Sequence, residues 1–232
     1  MPTIKTENIN WNTITDSLLN HGFAKAGPVL SKTSCEKLIS QYDNDIYRSV
    51  INMQRYNFGR GEYKYYAYPL PGLVTELRSY FYENLTPVAR EWSKRLRLQN
   101  NYPKTHDDYI NKCHAADQKR PTPLILKYGP EDFNTLHQDL YGEIHFPYQA
   151  AIMLSRPDQY RGGEFTLIEQ RPRMQSVAHV QNLIQGEVII FAVNEFPKLG
   201  KKGYYRATLR HGVSKLHSGS RHTLGIILHD AK

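Results

Sequence analysis

The stretch KYGPEDFNTLHQDLYGE, residues 127–143, places a histidine and an aspartate two residues apart, at His137 and Asp139. Successive side chains of an extended strand point to opposite faces, so residues i and i+2 point the same way. An imidazole and a carboxylate on one face can bind a metal ion or exchange a proton. Taken alone, the motif is explained more simply by two unrelated surface groups, so the rest of the chain has to decide.

Short apolar or alternating runs dominate the chain from about residue 122 onward. Gly, Pro and Asn separate these runs at intervals that are typical of strands. The rhythm predicts an antiparallel sandwich or barrel, and the His-x-Asp stretch lies near its start. The runs are PLILKY (123–128), YQAAIMLS (148–155), GEFTLIEQ (163–170), EVIIFAV (187–193), YRATLRHG (205–212) and HTLGIILHD (222–230).

The first hundred residues favour helices instead. Thr33 and Glu36 form the T-x-x-E pattern of a capping box, which predicts a helix start. Residues 71–98 carry apolar side chains at helical spacing, and Pro87 among them predicts a division or a kink. Between these helices, the tyrosine-rich segment 56–71 is expected to form an irregular or hairpin loop.

The bulk properties indicate one soluble domain with an anionic partner or a solvated basic face. The chain has 232 residues, a formal net charge of +8 and a sequence pI of about 9.3. Cys35 and Cys113 lie far apart and form no C-x-x-C pair, which favours a reduced compartment. The start of the chain does not have the pattern of a secretory signal, and no apolar run is long enough to cross a bilayer. We therefore expect a cytoplasmic protein without a membrane partner.

A second histidine strengthens the metal hypothesis. His211 ends a strand-like run, and Arg221 follows ten residues later on the next one. Two imidazoles and one carboxylate with open positions are the ligand set of non-haem Fe(II) oxygenases. The open positions can take a bidentate 2-oxo acid and O2, and Arg221 can pair with the distal carboxylate of that acid. Thr223 lies two residues further along the same strand face, where its hydroxyl can add a hydrogen bond.

These motifs resemble those of the Fe(II)/2-oxoglutarate-dependent dioxygenases. The pattern of that superfamily is His-x-Asp, a distal histidine and then a basic residue about ten positions on, and it falls here on His137, Asp139, His211 and Arg221. The segment before His137 is similar to a strand of the AlkB-like DNA-repair dioxygenases, in which a tyrosine at the position of Tyr128 touches 2-oxoglutarate. Across residues 105–232, the chain most resembles a bacterial oxygenase family described as acting on damaged nucleic acid.

The resemblance implies an α+β fold with a double-stranded β-helix, or jelly roll, as its core. Residues 105–232 are expected to form this oxygenase domain, and residues 1–104 a helical region with a tyrosine-rich loop that packs on it. The implied cofactors are Fe(II), the co-substrate 2-oxoglutarate and O2. The implied reaction hydroxylates a C–H bond and converts 2-oxoglutarate to succinate and CO2, which on an N-methylated base results in oxidative demethylation.

The substrate follows less directly from the sequence. Position 227 is Ile where AlkB-like enzymes carry a second arginine, and GGEF together with the single basic residue after the distal histidine is similar to prolyl hydroxylases. Nucleic acid is one candidate class, and a protein side chain or a small metabolite is the other. The residues predicted to contact substrate are Tyr141, Glu143, Arg60 and Tyr65.

Two further readings of the chain stay open at this point. A zinc hydrolase would use three protein ligands and water, but the sequence has no H-E-x-x-H motif, and Arg221 and Tyr128 would have no role. A non-catalytic, cupin-like binding module would keep the fold and lose the chemistry. His217 and His222 flank Arg221, and one of them could approach the site. The tyrosine-rich segment could bind phosphates and bases, or it could simply pack on the barrel.

Overall fold

Two antiparallel sheets form the core of the computed structural model, which describes residues 4–232. The larger sheet has seven strands, the smaller sheet has six, and two further strands pair with each other. Neighbours in space come from distant parts of the chain, as in a jelly roll, so the predicted α+β jelly-roll fold is confirmed.

Four α-helices and fifteen strands make up these layers in the described residues. The helices are α1 (Trp11–His21), α2 (Lys32–Ser40), α3 (Gly72–Arg95) and α4 (His106–Ala115). The first eight strands are β1 (Phe23–Ala26), β2 (Tyr47–Asn52), β3 (Gly59–Arg60), β4 (Glu62–Tyr66), β5 (Leu124–Tyr128), β6 (Phe133–His137), β7 (Tyr148–Met153) and β8 (Tyr160–Gly162). The remaining strands are β9 (Phe165–Gln170), β10 (Val177–Gln181), β11 (Val188–Ala192), β12 (Glu195–Gly200), β13 (Gly203–Val213), β14 (Leu216–Gly219) and β15 (Arg221–Ile226). Three short 3-10 helices cover Thr6–Asn8, Met53–Tyr56 and Pro157–Gln159.

The order of the strands within each sheet differs from their order along the chain. The larger sheet has the order β1-β11-β7-β15-β5-β4-β2. The smaller sheet has the order β10-β9-β13-β6-β3, with β12 paired to β13, and β8 pairs with β14.

The central strands of the larger sheet are buried on both faces. Every residue of β7 and of β15 is buried, although antiparallel strands often leave one face in water. Helix α3 contacts both strands, and its apolar residues join theirs in one continuous core. Helix α3 therefore covers the outer face of these strands, and even the polar residues at the start of β15 are buried. No helix in residues 4–232 is long and apolar enough to cross a membrane.

The helix boundaries differ in detail from the sequence expectation. Helix α2 begins at Lys32, and the side chain of Ser31 accepts the capping hydrogen bond from the Ser34 amide at 3.1 Å. The cap therefore lies two residues before Thr33, because serine is as good a cap as threonine. Helix α3 continues through Pro87 as one element, so the predicted division into two helices is wrong. Packing of its apolar face against the sheet outweighs the one hydrogen bond that proline removes.

The tyrosine-rich segment 56–71 is only partly a loop: its centre forms two strands, whereas residues 56–58 and 67–71 lie outside the sheets. Residues 59–66 form β3 and β4, and β4 adds to the larger sheet between β5 and β2. Aromatic residues favour strands, and this segment supplies them at a sheet position that β5 leaves open. Lys64 turns inward, where its Nζ lies 4.2 Å from the centre of the Tyr42 ring and 3.5 Å from Asp43. The N-terminal region therefore contributes strands as well as helices to the fold.

A buried ion pair ties the C-terminus to α3 and α4. Arg78 of α3 donates from Nη2 to Asp230 Oδ1 at 2.6 Å, and both side chains are almost completely buried. The second oxygen of Asp230 accepts hydrogen bonds from Tyr68 at 2.9 Å and from His114 at 2.8 Å. A buried charge needs such partners, because water cannot solvate it.

Replacing Asp230 by alanine should destabilise the protein strongly, because the Arg78 guanidinium would remain buried without its counter-charge. We expect the free energy of unfolding to fall by about 3–5 kcal/mol in urea denaturation. The matched control is Asp158→Ala, which removes a solvent-exposed pair with Arg156 and should leave the unfolding curve close to wild type. Equal stability of the two variants would show that the Arg78–Asp230 pair has no structural role.

Candidate active site

Two paired strands of the smaller sheet, β6 and β13, bring the three predicted metal ligands together. His137 is the last residue of β6, and it pairs directly with His211 of β13, with ring centres 4.1 Å apart. Asp139 follows just beyond the strand, with its oxygens 3.6 Å from Nε2 of His137 and 3.3 Å from Nε2 of His211. The three ligand atoms all lie within 4.8 Å of one another. The side chains of His137, Asp139 and the distal His211 therefore converge on one point.

The protonation states of this cluster suit a divalent metal. Burial acts to raise the pKa of Asp139, but the hydrogen bond and charge of His211 and the charge of His137 outweigh it and bring that pKa below its usual range. Burial, together with His137, lowers the pKa of His211. A carboxylate that is ionised and an imidazole that is neutral are the forms that bind a metal ion. Nδ1 of His137 lies 2.7 Å from the Thr135 carbonyl, which leaves Nε2 facing Asp139.

Two neutral donors hold the Asp139 carboxylate in place. The Tyr141 hydroxyl donates to Oδ1 at 2.6 Å, and the Gln149 amide of β7 donates to Oδ2 at 2.8 Å. Tyr65 of β4 donates in turn to the Tyr141 oxygen at 3.0 Å. Burial and the charge of Asp139 raise the pKa of Tyr141 well above its ordinary value, so its hydroxyl keeps the proton that it donates. The carboxylate is therefore oriented from both sheets at once.

A cavity of about 210 Å³ lies between the two sheets beside these ligands. Its walls are mostly aliphatic and aromatic, which is the usual character of a small-molecule site. The larger sheet contributes Tyr63, Leu124, Leu126, Tyr128, Gln149, Ala150, Ala151, Phe191, Arg221, Thr223 and Gly225. The smaller sheet and the loops contribute Phe58, Asn134, His137, Gln138, Asp139, Tyr141, Phe165, His211, Gly212, Val213 and Ile227.

Arg221 is buried in this cavity without a counter-charge. It lies on β15 directly opposite Tyr128 of β5, with the guanidinium 5.5 Å from the centre of that tyrosine ring. Its Nη1 donates to the Thr223 hydroxyl at 2.8 Å, whereas Nε and Nη2 have no hydrogen-bond partner within residues 4–232. Burial lowers the pKa of Arg221, and the two neighbouring tyrosines, Tyr128 and Tyr160, act against that shift. Unpaired buried donors are costly, so this geometry fits an anion that enters the cavity.

Tyr128 lies beside Arg221 on the larger sheet, and its predicted contact with 2-oxoglutarate stays a prediction. Its ring is fully buried, and burial raises the pKa of its hydroxyl to about 12, with Arg221 acting in the opposite direction. The hydroxyl is therefore protonated at neutral pH and can donate a hydrogen bond into the cavity. Arg221, Tyr128 and Thr223 form one polar group on the larger sheet, whereas two of the three predicted metal ligands lie on strands of the smaller sheet.

The residues predicted to contact substrate divide into two groups. Tyr141 lines the cavity and Tyr65 adjoins it, but both hydroxyls lie in the chain that ends on Asp139. Glu143 is exposed, with an oxygen 3.5 Å from Lys232, and Arg60 pairs with Asp132 at 3.2 Å; neither lines the cavity. Contact of these four residues with substrate stays a prediction.

The structure also locates His217 and His222, the two histidines that flank Arg221 in the sequence. His222 points to the opposite face of β15 and packs edge-on against Tyr42 with ring centres 5.6 Å apart. His217 is exposed on β14 and does not line the cavity.

Gln149 was not predicted from the sequence, although a single glutamine inside the apolar run YQAAIML is a signal that could have indicated it. A polar residue in a buried strand needs a partner, and here the partner is Asp139.

Comparison with known proteins places this site in a family. Residues 61–231 match an oxygenase family described as catalysing oxidative methylation of damaged DNA. The chain belongs to this oxygenase family. Two uncharacterized proteins of Mycobacterium tuberculosis, from strains CDC 1551 / Oshkosh and ATCC 25618 / H37Rv, are each 44% identical over 164 residues, which cover 70% of this chain and 70% of theirs. Family membership makes this oxygenase an oxidoreductase.

Solved structures agree with the fold of the oxygenase. A prolyl-4-hydroxylase from Pseudomonas putida has a TM-score of 0.54 at 12% identity and covers 93% of this chain and 96% of its own. An oxidoreductase of the 2OG-Fe(II) oxygenase family from Burkholderia pseudomallei has a TM-score of 0.53 at 13% identity, covering 96% and 93%. At this identity the likeness concerns the fold alone. The fold and the His-Asp-His cluster agree with the expected cofactors, which are Fe(II), 2-oxoglutarate and O2.

Replacing Tyr141 by phenylalanine should weaken metal binding, because Asp139 loses the hydrogen bond that orients its Oδ1. Changes to such supporting groups reduce metal affinity by about 10- to 100-fold, and we expect that loss in anaerobic titrations with Fe(II) or Co(II). Tyr65→Phe is the control, since it keeps the Tyr141–Asp139 hydrogen bond and should have a smaller effect. A Tyr141→Phe variant with wild-type metal affinity would contradict the orienting role.

Proposed function

We propose that this oxygenase is an Fe(II)- and 2-oxoglutarate-dependent dioxygenase that hydroxylates a C–H bond in alkylated nucleic acid. The observation that carries the proposal is the composition of one cavity. Two imidazoles and a carboxylate converge on one of its walls, and a buried guanidinium with two unpaired nitrogens lies on the other. The first group fits a divalent metal, and the second fits a carboxylate.

Each polar residue of the cavity has a distinct task in this proposal. His137, Asp139 and His211 would hold Fe(II) and leave positions open for ligands. Arg221 binds the distal carboxylate of 2-oxoglutarate through its free nitrogens. Thr223 orients the guanidinium with the hydroxyl that already accepts from Nη1. The chain thereby fixes the co-substrate across the cavity from the three metal ligands.

The reaction couples two oxidations and balances as a whole. O2, 2-oxoglutarate and a substrate C–H group give succinate, CO2 and a substrate C–OH group. When bound, the iron supplies the redox chemistry that activates O2. The aliphatic and aromatic walls exclude water from the cavity, which protects reactive species and strengthens the charge pairing of Arg221. On an N-methyl group, the hydroxylated product breaks down to formaldehyde and the demethylated base.

The family description and the charges support nucleic acid as the substrate. The family is described as acting on damaged DNA, and the chain has a formal net charge of +8. Arg221 is the only arginine or lysine among the described residues that line the cavity. An uncharged base therefore fits inside the cavity, while its phosphates stay outside. The buried, unpaired Cys35 and Cys113 suit the reducing cytoplasm, where we place the enzyme.

A protein side chain is the second candidate substrate. The same uncharged, apolar cavity suits a prolyl ring as well as a base, and prolyl hydroxylases share the fold. A small polyanionic metabolite is less well matched, because the one arginine of the cavity is committed to 2-oxoglutarate. The two macromolecular substrates differ in what they require outside the cavity, namely contacts with phosphates and neighbouring bases or contacts with a peptide backbone.

Replacing Arg221 by alanine should raise the KM for 2-oxoglutarate. A charge-assisted hydrogen bond contributes roughly 1.5 to 3 kcal/mol, which corresponds to a rise in KM of about tenfold to a hundredfold. Arg221→Lys should restore only part of the affinity, because a single ammonium cannot pair with both carboxylate oxygens as the guanidinium fork does. An unchanged KM in the alanine variant would mean that another group binds the acid.

Succinate release tests the substrate class directly. The enzyme with Fe(II), 2-oxoglutarate and O2 should form succinate in excess over its background when given a methylated oligonucleotide, and equal amounts of formaldehyde should appear. An unmethylated oligonucleotide and a proline-containing peptide serve as parallel arms, and stimulation by the peptide alone would favour the second candidate. His211→Ala should abolish all turnover, because it removes a metal ligand; wild-type turnover in this variant would contradict the site itself.

A further inference from the structure

Two aromatic rings stand in solvent at the rim of the active-site cavity. Tyr56 and Phe58 stack on each other, with ring centres 5.6 Å apart and an angle of 19° between their planes. They are 55% and 47% exposed, and Phe58 also lines the cavity. Single exposed apolar residues are ordinary, but a stacked pair beside a catalytic cavity is a surface that a flat ligand can use. We refer to Tyr56 and Phe58 as the aromatic shelf.

The shelf is anchored to the strand that carries the first metal ligand. The carbonyl of Phe58 accepts hydrogen bonds from the Thr135 amide at 3.0 Å and from the Thr135 hydroxyl at 2.9 Å. Thr135 lies on β6, two residues before His137. Gly59 continues the chain with φ 124°, and a Cβ there would overlap the carbonyl oxygen of Phe133. Backbone contacts therefore hold the chain at Phe58 in a defined position relative to β6.

The surroundings of the shelf are basic. Arg55 is exposed in the same 3-10 helix as Tyr56, and Arg60 is exposed just beyond Phe58. The Arg60 guanidinium pairs with Asp132 at 3.2 Å while more than half of its side chain remains in solvent. Lys64, Tyr65 and Tyr66 of the same segment do not add to this surface, because Lys64 turns inward and the two tyrosines are buried. Exposed aromatics beside exposed arginines form the usual surface for single-stranded nucleic acid.

We propose that the aromatic shelf stacks on the base next to the target base, which is the base that the enzyme oxidises. This contact positions the target base in the cavity. This inference rests on the proposed function, since it assigns the target base to the cavity and its neighbour to the rim. Stacking recognises the flat face that every base has, so the shelf would act on many sequences alike. Arg55 and Arg60 would lie along the phosphates of the same strand.

The charge and the shape of the rim favour nucleic acid over a peptide at this place. A strand of nucleic acid presents flat rings at regular intervals along an anionic backbone, which matches a stacked aromatic pair flanked by two arginines. A peptide of neutral side chains would offer no anionic group to Arg55, or to the solvent-exposed part of Arg60 beyond its pair with Asp132. The peptide is therefore the competing outcome of the experiment below.

Binding of a labelled oligonucleotide tests the shelf. The probe is a fluorescein-labelled single strand about 12 nucleotides long, with one N-methyladenine, measured by anisotropy without 2-oxoglutarate so that no turnover takes place. Phe58→Leu keeps an apolar side chain of similar reach but removes the flat ring, and Phe58→Trp keeps the ring. We expect Phe58→Leu and Tyr56→Leu each to raise the Kd by about 5- to 150-fold, and Phe58→Trp to bind like wild type or better.

The salt dependence separates stacking from charge. Since Phe58→Leu removes no phosphate contact, the slope of log Kd against log salt should stay unchanged, whereas Arg55→Gln should lower it by about 0.7. Tyr204→Leu is the matched control, because Tyr204 is also exposed, at 40%, but does not line the cavity. Loss of binding in Tyr204→Leu rather than in the shelf variants would move the nucleic acid to another surface and overturn the inference.

The remaining outcomes distinguish this inference from the proposed function. If wild type binds and demethylates the oligonucleotide but Phe58→Leu binds equally well, the shelf is wrong and the function stands. If wild type does not bind the probe and a proline-containing peptide stimulates succinate release, both the shelf and the nucleic-acid substrate are wrong, while the oxygenase chemistry stands. Circular dichroism and thermal unfolding of each variant confirm that these exposed substitutions leave the fold intact.

Discussion

The buried charge of Asp139 is the constraint on which the rest of the site depends. An ionised carboxylate removed from water is stable only when donors surround it. Here Gln149 on β7 and Tyr141 on the loop after β6 donate hydrogen bonds to it, and the imidazoles on β6 and β13 lie 3.6 Å and 3.3 Å from its oxygens. Satisfying this one group requires both sheets to meet at a defined distance. The arrangement of the two sheets and the arrangement of the candidate metal centre therefore depend on the same contacts.

A second buried charge, on Arg221, gives the cavity its polarity. The guanidinium lies on the larger sheet, away from the carboxylate of Asp139, and the two do not form an ion pair in the structure. If they did, the cavity would be neutralised internally and would have no reason to admit an anion. Instead, Thr223 satisfies only one nitrogen of Arg221. In the proposed function, the free energy of burying the unpaired nitrogens is recovered when the carboxylate of 2-oxoglutarate binds, which would couple co-substrate affinity to the stability of the site.

The aromatic residues of the tyrosine-rich segment have two different roles. Tyr63, Tyr65 and Tyr66 follow one another along β4, and there they line the cavity, support Tyr141 and fill the core. Tyr56 and Phe58 precede β4 and remain in solvent. The difference arises because β4 pairs with strands on both sides, whereas the residues before it lie outside the sheet. Composition alone could not separate these two groups.

The sequence by itself determined which chemical groups form the candidate site, but it did not determine which residues surround and support them. His137 and Asp139 are two residues apart, so local chain geometry places them together, and the strand that bears Arg221 also brings Thr223 to the same face. The apolar runs of the second half determined the sheets, because burial on both faces demands them. Only the tertiary structure decided that Gln149, Tyr141 and Tyr65 support Asp139, that Lys64 is turned inward and that residues 59–66 are strands. The Tyr65–Tyr141 contact joins segments 76 residues apart, and the Gln149–Asp139 contact joins a loop to a strand of the other sheet. Such contacts depend on strand order and register, which no local pattern specifies.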